Sequence, residues 1–160
     1  MADDDDGVDP TEQMQRARQR LSEADEVAQV VLTAHLEIEA EVDDALKVLF
    51  PHEDVLKEAR LTAHQKMTIL RAHITTKATG EAIAWPLLFG LNSLRNEIAH
   101  GKKTKKRDVK IQALRNGLRG KGKKRFRQAV DSADDIGIIT IAAEVASGFV
   151  ILLTKAMKGK

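Results

Sequence analysis

Residues 95–101 read Arg-Asn-Glu-Ile-Ala-His-Gly, and they place a guanidinium, an amide and an imidazole within about two helical turns. An arginine can hold a phosphate group through two parallel hydrogen bonds. A histidine can transfer a proton near neutral pH. Arg95, Asn96 and His100 are therefore candidate catalytic residues for chemistry at a phosphate, with RNA as the expected substrate class.

The densest positive charge in the chain follows this stretch. Residues 101–127 contain 13 basic side chains against Asp108 alone, a net charge of +12, whereas residues 1–60 have a net charge of −11. The 13 basic residues are Lys102, Lys103, Lys105, Lys106, Arg107, Lys110, Arg115, Arg119, Lys121, Lys123, Lys124, Arg125 and Arg127. Such a block is typical of a surface that binds nucleic acid. A solvated linker, or an arm that pairs with the acidic part of the same chain, is the alternative interpretation.

The overall composition indicates one globular domain. The chain has 160 residues, of which 42% are hydrophobic and none is cysteine. The absence of cysteine excludes disulfides, thiolate nucleophiles and thiolate zinc sites, and together with the acidic, polar N-terminus it favours a cytoplasmic protein. The apolar run at 136–153 is interrupted by Thr140, Glu144 and Ser147. We therefore expect a buried helix there and no membrane span.

The spacing of apolar residues predicts an all-α bundle of four or five main helices. Residues 1–10 contain four consecutive aspartates and are expected to form a disordered acidic tail, with a single helical domain over residues 11–160. The predicted helices cover about 22–50, 53–60, 62–74, 80–100, 107–118, 124–133 and 134–157. The candidate residues therefore lie at the end of a helix, with Gly101 as its expected C-terminal cap.

The order of these helices and the short motif resemble the HEPN domain (higher eukaryotes and prokaryotes nucleotide-binding), a family of α-helical bundles. That family is marked by an arginine, often followed by asparagine, and by a histidine roughly four to six residues further on. Arg95-Asn96 and His100 match this motif at its shortest spacing. The flanking sequence, Leu-Asn-Ser-Leu at 91–94, is similar as well.

A second part of the resemblance concerns the branch of the family that includes the mannitol repressor. The acidic helix segment at 35–41, the segment at 61–74 and the apolar final helix follow the layout of that branch. The resemblance covers about residues 22–157. It does not predict the basic insert at about 101–127.

The resemblance implies two kinds of function. Many active members of the family are metal-independent endoribonucleases that work as homodimers, with two motifs facing each other across the interface. Other members, including the mannitol repressor branch, are regulatory and bind nucleic acid or protein without catalysis. The expected partners are RNA or another nucleic acid, a second copy of the chain, and an antitoxin or regulatory protein. No cofactor and no metal are expected.

The motif residues also have structural interpretations. His100 can interact with the last carbonyl groups of its helix. Arg95 can form an ion pair with an acidic residue of the first long helix, Glu37, Glu39 or Glu41. In the family that the chain resembles, such an ion pair can position the catalytic arginine, so the two interpretations are compatible.

One face of the motif helix carries Trp85, Phe89, Asn92, Asn96 and His100 at helical spacing. Asn96 is expected either to orient His100 or to satisfy backbone groups. Because the chain has no tyrosine and only five aromatic residues, base stacking of the kind used by RNA-binding sheets is not expected. Trp85 and Phe89 are expected to pack in the core or in a dimer interface.

His35, Glu39 and Asp43 are spaced four residues apart on one helix and could together bind a metal ion. Such a site needs a second histidine from elsewhere, and His64 and His73 are the nearest in sequence. Isolated His and Asp residues on helices are usually solvated, so we do not expect a metal here.

Overall fold

The computed structural model describes residues 25–74, 81–99, 105–120 and 123–159. These residues form seven α-helices and no strand, which confirms the predicted all-α class. Five of the helices have 11 or more residues. The helices are α1 (Glu26–Leu49), α2 (Glu53–Glu58), α3 (Ala63–His73), α4 (Glu81–Ala99), α5 (Lys105–Arg119), α6 (Lys124–Ser132) and α7 (Asp135–Lys158). The expected tail at 1–10 and the expected helix start near residue 22 lie outside the described residues.

The two longest helices, α1 and α7, form the most extensive pair of the bundle. α4 packs against both of them, α3 closes one side against α1 and α4, and α5 and α6 close the other side against α7. The core that they enclose is almost entirely aliphatic, with Trp85 and Phe149 as its buried aromatic side chains. The two rings meet edge to face with centroids 5.4 Å apart, so Trp85 is a core residue as one of its two interpretations predicted.

The first helix follows its apolar periodicity. Val31, Ile38 and Val42 are each 1% exposed, as their spacing of three and four residues predicts for one face of a helix. α1 ends at Leu49, just before Pro51, because proline cannot continue the backbone hydrogen-bond ladder. α1 therefore presents one long face to the core and leaves its polar residues at the edges.

The last helix, α7, is capped at its N-terminus by Asp134, whose side chain accepts a hydrogen bond of 2.8 Å from the backbone amide of Gly137. Among the described helices, α7 is the one that is long and apolar enough to cross a membrane by length and composition. Its face with Ile138, Ala142 and Val150 is buried in the bundle. This packing agrees with the predicted buried helix.

The third helix starts at a fully formed capping box. The Thr62 hydroxyl accepts from the backbone amide of Gln65 at 3.3 Å, and the Gln65 side chain accepts from the backbone amide of Thr62 at 2.9 Å. Two of the amides that a helix start leaves unpaired are thereby satisfied. The cap fixes where α3 begins, and this start lies beside the end of α4.

Two glycines give a test of how closely α4 and α5 approach. A Cβ atom at Gly90 would lie 2.8 Å from Cδ2 of the buried Leu114, whereas one at Gly148 would meet nothing within 4 Å. Alanine at 148 should stabilise α7 by about 0.5–1 kcal/mol through its helix propensity. The same change at 90 overpacks the α4–α5 contact, at a cost of about 1–3 kcal/mol.

We therefore expect the free energy of unfolding of Gly90→Ala to be about 1–3 kcal/mol lower than that of Gly148→Ala. Urea denaturation of both variants measures this difference. The two substitutions are chemically identical and both lie inside helices, so propensity cancels in the comparison. Equal free energies would contradict the close approach of α4 and α5.

Candidate functional site

One face of α4 changes from apolar to polar toward the C-terminal end of the helix. Trp85 and Leu88 are almost fully buried on this face, and the residues that follow at helical spacing are Asn92, Arg95 and Asn96. Asn92 is buried, Arg95 is half-buried and Asn96 is exposed. The apolar core therefore ends in a polar patch at the C-terminal end of α4, which is the location of the motif.

This polar patch forms the wall of a cavity of about 390 Å³ between α1, α3 and α4. The lining residues are His35, Glu39, Thr62, Ala63, His64, Asn92, Arg95 and Asn96. Two imidazoles from other helices thus share the cavity with Arg95 and Asn96. The cavity also includes the first turn of α3, where backbone amides leave a partial positive charge.

The guanidinium of Arg95 contacts its neighbour in sequence. Its Nη1 donates to Oδ1 of Asn96 at 3.3 Å. Among the described residues no acidic side chain pairs with Arg95, so the alternative ion pair with the first long helix is not formed there. A half-buried guanidinium without a carboxylate partner retains donors for an anion in the cavity.

His35 and Asn92 form a buried polar pair that connects α1 to α4. The His35 imidazole is 4% exposed and Asn92 is 6% exposed. Nε2 of His35 lies 3.1 Å from Oδ1 of Asn92, which makes the imidazole the donor because an amide oxygen can only accept. Nδ1 of His35 lies 3.8 Å from Oε2 of Glu39.

The ammonium of Lys66 joins α3 to two carboxylates of α1. Its Nζ donates to Oε1 of Glu39 at 3.1 Å and to Oδ2 of Asp43 at 3.0 Å. Partial burial by itself lowers the pKa of Lys66, but hydrogen bonds and charge from Asp43 and Glu39 outweigh it and raise the pKa above its ordinary value. Glu39 and Asp43, two of the three candidate metal ligands, thus bind Lys66. The described residues contain no group of three His, Cys, Asp or Glu placed to hold a metal ion.

Replacing Lys66 tests this cross-link. Lys66→Met leaves Glu39 and Asp43 without their cation, so we expect the free energy of unfolding to fall by about 1–3 kcal/mol. Lys47→Met, which removes the exposed partner of Asp44, should cost less than about 1 kcal/mol. Urea denaturation at neutral pH measures both values.

The same cross-link has a defined pH dependence. Because the pKa of Lys66 is raised on folding, its stabilisation is complete below the ordinary value of 10.5 and is lost as the pH rises through the folded value. The difference between wild type and Lys66→Met should therefore shrink in alkaline solution. A difference that persists or grows there would contradict the assigned ion pair.

His64 enters the cavity from the second residue of α3. The side chain is exposed, and its ring lies 5.1 Å from the ring of Phe89. The guanidinium of Arg71, seven residues later on α3, lies 5.9 Å from the same Phe89 ring. Phe89 of α4 therefore packs against α3. From the sequence, His64 was named only as a possible second histidine of the metal site. The signal that could have placed it is the cap at Thr62, which predicts where α3 starts.

The remaining motif residue, His100, lies outside the described residues. α4 is described up to Ala99, so His100 follows its last described residue. The expected C-terminal cap at Gly101 and the basic residues Lys102, Lys103 and Lys121 also lie outside the described residues.

The basic segment contains side chains that stabilise the bundle. Arg107 is 7% exposed and makes a two-pronged ion pair with Asp25 at the start of α1, with Nη2 to Oδ1 at 2.9 Å. The hydrogen bond that Arg107 donates to the Asp25 carboxylate raises the pKa of Arg107 above its ordinary value. Nζ of Lys110 donates to Oγ of Ser93 on α4. The linker interpretation is therefore wrong for α5, whose face with buried apolar residues packs against α4.

Two further arginines hold α5 and α6 together. Nη1 of Arg115 donates to the backbone oxygens of Val130 at 2.9 Å and Ala133 at 2.8 Å. Nε of Arg119 lies 2.7 Å from Oδ1 of Asp131. The other described basic residues of the segment are exposed, and these are Lys105, Lys106, Lys123, Lys124, Arg125 and Arg127.

No family model, curated protein or solved structure matches the chain. The HEPN resemblance therefore stays a prediction that depends on the motif and on the order of the helices.

Proposed function

We propose that the chain is an RNA-directed protein of HEPN type that cleaves RNA without a metal ion. The observation that carries the proposal is the cavity at the end of α4. There Arg95, which has no acidic partner among the described residues, lies with Asn96, His35 and His64 beside the first turn of α3. Glu39 also lines the cavity, and its carboxylate is bound by Lys66. The guanidinium and the donor groups of this concave site therefore suit a phosphodiester better than an apolar or cationic ligand.

The proposed reaction is transfer of the phosphoryl group to the adjacent 2′-oxygen. A base removes the proton of the 2′-hydroxyl, the 2′-oxygen forms a bond to phosphorus, and the bond from phosphorus to the 5′-oxygen breaks. An acid gives a proton to the departing 5′-oxygen. The products are a 2′,3′-cyclic phosphate and a 5′-hydroxyl, so no water is consumed in this step.

The motif residues are given roles that follow from their chemistry. Arg95 stabilises the negative charge that builds up on the phosphorane oxygens, which is usually the largest electrostatic contribution in such reactions. Its hydrogen bond to Asn96 fixes the plane of the guanidinium, so Asn96 acts on the phosphate through Arg95. His100 is the base or the acid.

The exposed basic side chains of α5 and α6 extend the proposed site into a surface for the RNA backbone. Lys105 and Lys106 lie at the start of α5, six residues beyond the end of α4. They contribute to binding of any RNA sequence, because contacts to phosphates carry no base information. The proposal includes a homodimer, since α1 carries the large apolar side chains Leu32 and Leu36 with 40% and 68% exposure.

The experiment that tests the proposal is cleavage of a mixed set of structured and single-stranded RNAs by purified protein in EDTA. We expect cleavage with 2′,3′-cyclic phosphate ends, detected by their resistance to ligation until the cyclic group is removed. A requirement for a divalent ion would contradict the mechanism. Salt-dependent binding without any cleavage would identify a regulatory, non-catalytic module instead.

A further inference from the structure

The Asn92 side chain combines burial with an unused hydrogen-bond donor. Its Oδ1 accepts from His35, whereas its Nδ2 has no hydrogen-bond partner among the described residues. Among the described residues, Nε1 of Trp85 is the one buried side-chain nitrogen or oxygen that lacks both a partner and solvent access. Nδ2 of Asn92 therefore keeps some access to solvent, and Asn92 lines the cavity. A buried amide with a free donor facing a cavity is suited to bind a ligand.

We propose that His35 is a positioning residue that holds the Asn92 amide with its NH2 group facing the cavity, where it donates to a phosphodiester oxygen beside Arg95. Asn92 then is a second anion donor of the site, one turn before Arg95 on the same face of α4. The inference depends on the proposed function for the identity of the ligand as an RNA phosphodiester.

The orientation of the amide follows from the His35 hydrogen bond. Oδ1 of Asn92 faces Nε2 of His35, and this contact is a hydrogen bond in the tautomer with the proton on Nε2, which can face Oδ1 but not the NH2 group. Without the imidazole the amide can turn over. Its oxygen would then face the cavity and repel a phosphate oxygen, since both are acceptors.

The other ring nitrogen of His35 faces Glu39. Its Nδ1 lies 3.8 Å from Oε2 of Glu39, which is too far for a hydrogen bond, and Oε1 of Glu39 accepts from Lys66 of α3. The contact with Asn92 is therefore the one of hydrogen-bond length that the His35 ring makes among the described residues.

The test is an NMR titration of the side-chain NH2 signals of Asn92, assigned by comparison with Asn92→Ala. The ligand is a dinucleoside monophosphate with a 2′-deoxy group at the first sugar, which binds as a phosphodiester but has no 2′-hydroxyl for attack. In the wild-type protein we expect the Asn92 signals to move as the dinucleotide binds. Asn92→Ala should weaken its affinity by about tenfold, the typical effect of losing a hydrogen bond to a charged group.

Variants of His35 separate positioning from general stability. His35→Leu should abolish the shift of the Asn92 signals and weaken affinity about as much as Asn92→Ala. His35→Gln retains an N–H donor and should restore most of both effects, which a merely structural role would not do. The matched control is His73→Leu, because His73 is an exposed histidine of α3 outside the cavity. It should leave the affinity unchanged.

The outcomes distinguish this inference from the proposed function. Asn92 signals that stay fixed in the wild-type protein while the dinucleotide binds, or full affinity in His35→Leu, would overturn the inference even if the protein cleaves RNA. If the Asn92 signals shift in a protein that cleaves no RNA, the result supports the inference and contradicts only the proposed catalysis. If His35→Leu does not fold, the wild-type titration and the His35→Gln variant still test whether His35 positions the Asn92 amide.

Discussion

His100→Ala is expected to lower the rate of RNA cleavage by about 100- to 10,000-fold, the usual contribution of a positioned proton-transfer group. Folding and RNA affinity should stay close to those of the wild-type protein, because the substitution removes no permanent charge. Arg95→Ala should lower both cleavage and affinity, since it removes a phosphate contact. Arg95→Lys keeps the charge but not the two parallel hydrogen bonds, so it should restore the rate only in part.

Single-turnover cleavage in EDTA measures the rates, and binding of a 2′-deoxy-substituted RNA measures affinity without turnover. His73→Ala, at an exposed imidazole of α3, is the control for loss of a histidine as such. Cleavage that survives His100→Ala would contradict the proposed mechanism. A loss of activity in EDTA that a divalent ion restores would contradict it as well.

The helices were predictable because each depends on local signals. The apolar spacing in α1, the capping box at Thr62 and the N-terminal cap at Asp134 act over three or four residues. α6 was expected at 124–133 and is found at Lys124–Ser132. Such signals are contained in short stretches of sequence, so they need no knowledge of how the helices pack.

The composition of the cavity was less predictable because it depends on packing between distant residues. His35 and Asn92 are separated by 57 positions, and only the crossing of α1 and α4 brings them to 3.1 Å. His64 lines the cavity from α3, and Lys66, two residues later, is bound by carboxylates of α1. The spacing in the sequence placed His35 and Glu39 of the cavity in a candidate metal set with Asp43, since it shows residue types and spacing but not their partners.

For the basic segment as well, the sequence shows the charges but not their partners. Thirteen cations in a short stretch predict a polyanion-binding surface as a block, yet charge density does not reveal which cations are already paired. Arg107 and Lys106 are neighbours in sequence, but helical geometry turns one toward Asp25 and leaves the other exposed.

Arg107→Gln is expected to lower the free energy of unfolding by about 2–4 kcal/mol, because it leaves the partly buried carboxylate of Asp25 without its guanidinium. Lys106→Gln, the adjacent exposed residue, should change stability by less than about 0.5 kcal/mol. For nucleic acid the order should reverse. Lys106→Gln should weaken binding across RNA sequences and reduce the slope of log affinity against log salt by about one phosphate contact.

The two measurements, urea denaturation and RNA binding over a range of salt concentrations, separate a structural cation from a binding cation at neighbouring positions. RNA affinity of Arg107→Gln has to be measured well below its denaturation midpoint, so that unfolding does not imitate a loss of binding. Asp25→Asn removes the same ion pair from the opposite side and should destabilise the bundle without flattening the salt slope. If Lys106→Gln leaves the slope unchanged while Arg107→Gln flattens it, the phosphate contacts are not on the exposed face of α5, and the proposed RNA surface must be moved elsewhere.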